Sequence, residues 1–198
     1  MKPSLKMSVQ SKAVRLLFFW MVCLSVNVFS GFGFAAPNDH GNMHRGEAGH
    51  GMDHMVQNEF DFLVEMIPHH QEAIYSAREI RDVTERRELR EFAKEVIEVQ
   101  QKEIREMEGW IDKWYPEEVP HARYEPMMRD IHGLPVEQAE RLFLEDMIAH
   151  HEMAVEKARQ VLERDLAQHP EVAQMAREIV ETQNREIELM QKWLNEWF

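Results

Sequence analysis

From Phe60 onward the chain says the same thing twice, and this repeat limits the folds open to it more than any other feature. Phe62-Leu63-Val64-Glu65-Met66-Ile67-Pro68-His69-His70 returns as Phe143-Leu144-Glu145-Asp146-Met147-Ile148-Ala149-His150-His151, and the match runs on through Ala73/Ala154, Ala77/Ala158 and Arg78/Arg159, all 81 residues apart. A second block then matches at a spacing of 83. In it Ala93, Ile97, Gln100, Glu103, Ile104, Met107, Trp110 and Trp114 correspond to Ala176, Val180, Gln183, Glu186, Ile187, Met190, Trp193 and Trp197. A two-residue difference between blocks is what a longer turn in the second copy leaves. Two copies of one unit that cannot bury its apolar face alone must pack against each other.

Each block has a helical period. Ile97, Ile104 and Ile111 recur every seven residues with Gln100, Met107 and Trp114 between them, which is one apolar stripe along a helix. Phe62, Met66, His69/His70, Ala73 and Ala77 fall three or four apart and share a face. The pattern predicts helices near 59–81, 85–114, 137–163 and 170–197, with Thr84 capping the second and Pro170 in the first turn of the fourth. The stretch from Tyr115 to Pro135 holds prolines at 116, 120, 126 and 135 and reads as an extended connection. Twenty residues span up to about 65 Å, against about 45 Å for a thirty-residue helix, so it can run the length of a bundle. The expected fold is all-α, a ferritin-like four-helix bundle over 59–198. It consists of a first hairpin (59–115), a crossover (116–135) and a second hairpin (136–198) related by a pseudo-twofold axis.

Ahead of the bundle, Lys2, Lys6, Lys12 and Arg15 precede an apolar run from Leu16 to Phe34 that ends in Ala35-Ala36. A basic start, an apolar middle and a small-residue end read as a signal peptide over 1–36, addressing the protein to the periplasm. Its removal takes the formal charge from −13 to −17 and discards Cys23, the single cysteine. Phosphate binding needs clustered cations, so nucleic acid is an unsuitable partner. With no cysteine left, disulfides and Cys-based zinc or iron–sulfur sites are excluded. No later apolar run is long enough to span a membrane, so the mature protein is expected to be soluble. Residues 37–58 contain four Gly, four His and three Met and almost no large apolar side chain, a composition expected to stay mobile. His40, Met43 and His44 form one cluster there, and His50, Met52, His54 and Met55 another; such tracts are metal signals.

In the bundle, adjacent helix positions point about 100° apart, so one ring of each His pair can face the centre and the other the flank. Met66 stands three and four residues before His69 and His70, and Met147 has the same relation to His150 and His151. The partner helices add Met107 and Met190, with Glu103 and Glu186 one turn away. Thioether with imidazole favours Cu(I), with Cu(II) reachable through imidazole, and suits Mg²⁺ or Ca²⁺ poorly. Against this, a core Met is more often a filler of gaps, and a His in a helix is usually a hydrogen-bonded structural residue. His121, Met127, Met128 and His132 in the crossover offer a weaker cluster. The Trp residues are read as core and hairpin-end packing, and His169 as a helix-start residue.

These residues resemble the bacterial, ferritin-like family catalogued as domain of unknown function 305. Its pattern is similar to Met66-Ile67-Pro68-His69-His70 with Ala73, then Gln100, Glu103, Ile104 and Met107, and to the second copy with Gln183, Glu186, Ile187 and Met190. The family includes periplasmic copper-binding proteins implicated in copper resistance, which implies a similar role here. The family often has Met just before the Ala at 77 and 158, where this chain has Ser76 and Lys157. The reading is an exported copper-binding protein without turnover. It would sequester or carry Cu(I)/Cu(II) through Met66, His69, His70, Met107, Met147, His150, His151 and Met190 and through the tail, with a copper-transport or efflux protein as candidate partner. The alternatives are a metal-free helical interaction module and a ferritin-like di-iron protein. The second needs Glu three residues before a His, and neither His pair has one.

Overall fold

The computed structural model describes residues 55–198; the expected signal peptide over 1–36 and the tail as far as His54 lie outside them. Four helices follow in order: α1 (Glu59–Val83), α2 (Arg87–Trp114), α3 (Val136–Glu163) and α4 (Pro170–Trp197). The apolar stripes read from the sequence are the buried faces. Phe62, Leu63, Met66, Ala73 and Ala77 of α1 and their counterparts Phe143, Leu144, Met147, Ala154 and Ala158 of α3 are all buried. α1 pairs with α2, α3 with α4, and the two hairpins meet through α1 and α3. α1 continues through Pro68, which cannot donate a helical bond; α3 has Ala149 in its place.

Two buried carboxylates, equivalent in the repeat, clasp the hairpins together. Glu59 at the start of α1 is wholly buried and accepts hydrogen bonds from the Gln168 amide (2.5 Å), the His169 amide (2.8 Å), His169 Nδ1 (2.6 Å) and the Tyr115 hydroxyl (2.8 Å). Glu140 at the start of α3 accepts from the Thr84 hydroxyl and from Arg86 Nε (2.9 Å). Each first helix thus grips the turn of the opposite hairpin, which makes α1 and α3 antiparallel. Because α2 ends beside Glu59 and α3 begins beside Thr84, the crossover has to run the length of the bundle.

The structure corrects three local readings. Thr84 does not cap α2: it closes α1, its amide bonds the Ile80 carbonyl, and its hydroxyl accepts from the Arg86 amide while donating to Glu140. α2 accordingly begins at Arg87 rather than 85. Third, the expected mobile segment ends before residue 58. Val56 is buried, its amide donates to Gln160 Oε1 (3.0 Å) and its carbonyl accepts from Arg164, and Asn58 caps α1 by accepting from the Asp61 amide (2.9 Å). At the hairpin ends Trp193 and Trp197 stack, Trp193 meets Phe92 edge-on, and Trp114 lies flat against His169, which precedes Pro170 at the start of α4. No helix among the described residues is long and apolar enough to cross a membrane.

Candidate functional site

The four histidines lie at mid-helix where α1 and α3 cross, and none is exposed. The 100° step between neighbours sends the two rings of each pair different ways. His69 and His150 turn toward each other across the α1–α3 contact, with centroids 3.6 Å apart and planes 36° apart. His70 turns to α2, where its Nε2 meets Glu103 Oε2 at 2.8 Å. His151 turns to α4 and meets Glu186 Oε2 at the same distance. Within each pair the ring centroids stand 6.0 and 6.2 Å apart.

The crossover breaks this symmetry. His69 Nε2 donates to the backbone carbonyl of His150 (3.0 Å). His150 Nε2 instead faces Glu72 Oε2 and the Tyr124 hydroxyl, each at 3.3 Å. Glu72 also accepts from the Tyr124 hydroxyl and from the amides of Met127 (2.9 Å) and Met128 (3.1 Å), so one carboxylate fastens the crossover over the histidine pair. The Tyr124 ring stands edge-on to His69, 5.7 Å away.

These contacts fix the tautomers. Each Nε2 faces a carboxylate or a carbonyl, so it carries the proton and leaves the lone pair on Nδ1. All four Nδ1 atoms, of His69, His70, His150 and His151, are buried without a hydrogen-bond partner. Burial pushes the His69 pKa well below its usual value, helped by the neighbouring His150 and His70. Burial also lowers that of His150, to about 4, with Glu72 opposing and His151 assisting. For Glu72 burial favours the neutral acid, but the bonds from His150, Tyr124 and the two Met amides outweigh it and hold the carboxyl at about 2. At neutral pH His69 and His150 are therefore uncharged beside an ionised Glu72.

Met66, Met107, Met147 and Met190 are each wholly buried in the same core, so the helices supply four thioethers and four bare imidazole nitrogens to one interior. Metal-bound histidine usually donates its other ring N–H to a carboxylate or carbonyl, which orients it and raises its basicity, and all four rings have that support. Among the described residues no group of three or more His, Cys, Asp or Glu stands together to hold a metal, so thioethers would have to complete any site at the histidines. His40, Met43, His44, His50, Met52 and His54 lie outside the described residues. Met55 is exposed and lines a cavity of about 280 Å³ with His121, Asp61 and Glu65. The crossover residues do not cluster: His121 sits at that cavity, Met127 and Met128 are tied to Glu72 through their backbone, and His132 is exposed. At the position where the family often has Met, Lys157 is buried and pairs with Glu65 at 2.6 Å.

Glu72 and Tyr124 escaped the sequence reading. A signal for Glu72 was present, since its counterpart in the second copy is Met153, a mismatch beside an otherwise matched motif.

Helical connectivity and this interior define a class, that of pseudo-symmetric four-helix bundles whose core is lined by paired imidazoles and thioethers. The chain belongs to the DUF305 family (domain of unknown function), whose sequence profile matches residues 59–194. CopM in its Cu(II)-bound form is 29% identical, with 73% of this chain and 100% of that chain covered and a TM-score of 0.64; its Cu(I)-bound form superposes equally well, at 29% identity over 72% and 99%. A DUF305 fragment from Deinococcus radiodurans is 32% identical over 72% of this chain and 98% of its own, with a TM-score of 0.62. No curated protein sequence matches the chain.

Proposed function

We propose that this is an exported copper-binding protein that sequesters or carries Cu(I)/Cu(II) for copper tolerance, with copper as cargo rather than as a catalytic centre. The observation that carries the reading is the set of four buried Nδ1 lone pairs, each on a ring whose Nε2–H is already anchored. A buried acceptor with no donor costs free energy, and a thiophilic cation shared with Met thioethers relieves it. Among the described residues no three His, Cys, Asp or Glu side chains are grouped to hold a metal, so the buried thioethers would complete the ligand set at the histidines, which favours a soft ion such as Cu(I). The CopM structures with copper bound support the same choice. The leader over 1–36 supports export, and the His/Met clusters from His40 to Met55 would gather metal from solution and pass it inward. The acidic surface raises the local cation concentration, an effect that salt screens.

The hydrogen bonds at every Nε2 favour one other reading, in which the rings are purely structural and only the tail binds metal. Anaerobic Cu(I) titration against a competing chelator separates the two. The proteins to compare are the exported chain, a chain lacking 37–54 (cut ahead of the buried Val56), and the latter with Met66, Met107, Met147 and Met190 changed to Leu. Leu keeps the volume and the fold. Copper retained by the shortened chain and released by the four-Leu variant supports bundle sites. Binding that vanishes with the tail alone overturns them.

A further inference from the structure

The seam between α2 and α4 holds donors of a different kind, which copper chemistry leaves unused. Gln100 and Gln183 are equivalent in the repeat, 83 residues apart, and are only 2% and 3% exposed. The Oε1 atom of each is buried without a hydrogen-bond partner. One orphaned amide oxygen can be an accident of packing; two at equivalent positions, on residues that line one space, point to a common partner. That space is a cavity of about 10 Å³ lined by both glutamines, by Glu103 and Glu186, and by Thr182, with no cationic side chain in its wall. Glu103 and Glu186 each give one oxygen, Oε2, to a histidine, and the second oxygen of each carboxylate takes no part in those bonds.

We propose that this seam is a second metal site, built for a hard divalent cation such as Mn²⁺ or Ca²⁺. It would be held by the amide oxygens of Gln100 and Gln183 and the carboxylates of Glu103 and Glu186. The donor set is oxygen only, which suits hard cations and not Cu(I). The volume is that of a single water or a single ion. Mg²⁺ fits less well, because it gives up its own water reluctantly and insists on an octahedron. A cation here neutralises two carboxylates that are only 12% and 18% exposed and supplies the partner that both amides lack. The inference stands on the α2–α4 geometry and does not depend on copper binding.

The test is titration of the exported chain with Mn²⁺, reading the free aqua ion by electron paramagnetic resonance, followed by displacement with Ca²⁺. The expected result is one Mn²⁺ per chain, released by Ca²⁺, with affinity lowered more than about tenfold in Q100L/Q183L. That variant loses no hydrogen bond at either Oε1, so its melting temperature without metal should match the parent's or exceed it. Should it fold poorly, Gln100→Glu provides the second arm: the added charge should tighten Mn²⁺ severalfold. Absence of stoichiometric Mn²⁺ and Ca²⁺ binding overturns the proposal. So does an affinity unchanged by Q100L/Q183L, or one that Q100E leaves unchanged or weakens.

Discussion

Protonation should unfold this bundle from its centre, in a pH window that the histidine pair sets. His150 titrates near 4 in the folded chain and near 6.5 when unfolded. Between those values the unfolded chain binds the extra proton, so stability is complete above pH 6.5 and is lost as the pH falls toward 4. From pH 7 to 4.5 the loss for His150 alone is about 2–3 kcal/mol, since each unit of pKa difference is worth about 1.4 kcal/mol. His69, shifted in the same direction, adds to it. For a domain stable by about 5–15 kcal/mol this is a large share. Glu72, held at about 2, contributes in the opposite range: its stabilisation is present above 4.5 and is lost only as the pH falls from 4.5 toward 2, outside the window. The assay is urea denaturation of metal-free protein followed by circular dichroism at half-unit steps from pH 7.5 to 4.5, in parallel with H69Q/H150Q. Most of the wild-type slope should vanish in the variant. Equal slopes in the two proteins, or a wild-type stability that holds constant down to pH 4.5, would refute the buried neutral pair.

Other outcomes follow from the same contacts. Glu59→Ala strips the partner from two backbone amides and from His169 and Tyr115, and should cost about 3–5 kcal/mol in denaturant unfolding. Glu72→Ala unfastens the crossover, so amide exchange at Met127 and Met128 should accelerate while that of α1 and α3 is unchanged. Lys157→Ala should destabilise by about 2–4 kcal/mol because it leaves Glu65 unpaired at a mostly buried position. The double change K157M/E65M should restore stability to within about 1 kcal/mol of the parent, as apolar replacement of a buried pair commonly does, and melting curves of the two variants decide it.

The helices were legible because helix formation is local: the seven-residue spacing of Ile97, Ile104 and Ile111 and the punctuation by Pro170 act within a few turns. The hairpin pairing was legible from the repeat, since equivalent stripes must cover each other. What escaped depends on partners far along the chain. Thr84 looked like a cap for α2, yet its hydroxyl is claimed by Glu140, 56 residues away. Val56 looked like the end of a tail, yet Gln160 and Arg164 hold it. The His and Met candidates announced themselves by recurring. Their tautomers did not, because these are set by Glu72, Glu103, Glu186 and a backbone carbonyl that only the packed bundle brings near. Tyr124 lies in an aperiodic connection and gave no signal.

X-ray absorption at the copper edge on the Cu(I)-loaded bundle lacking residues 37–54 tests directly whether the core thioethers hold copper. Mixed nitrogen and sulfur scattering is predicted, with the sulfur shell lost when Met66, Met107, Met147 and Met190 become Leu. A copper environment without sulfur, or a shortened chain that retains no copper, contradicts a thioether site in the bundle.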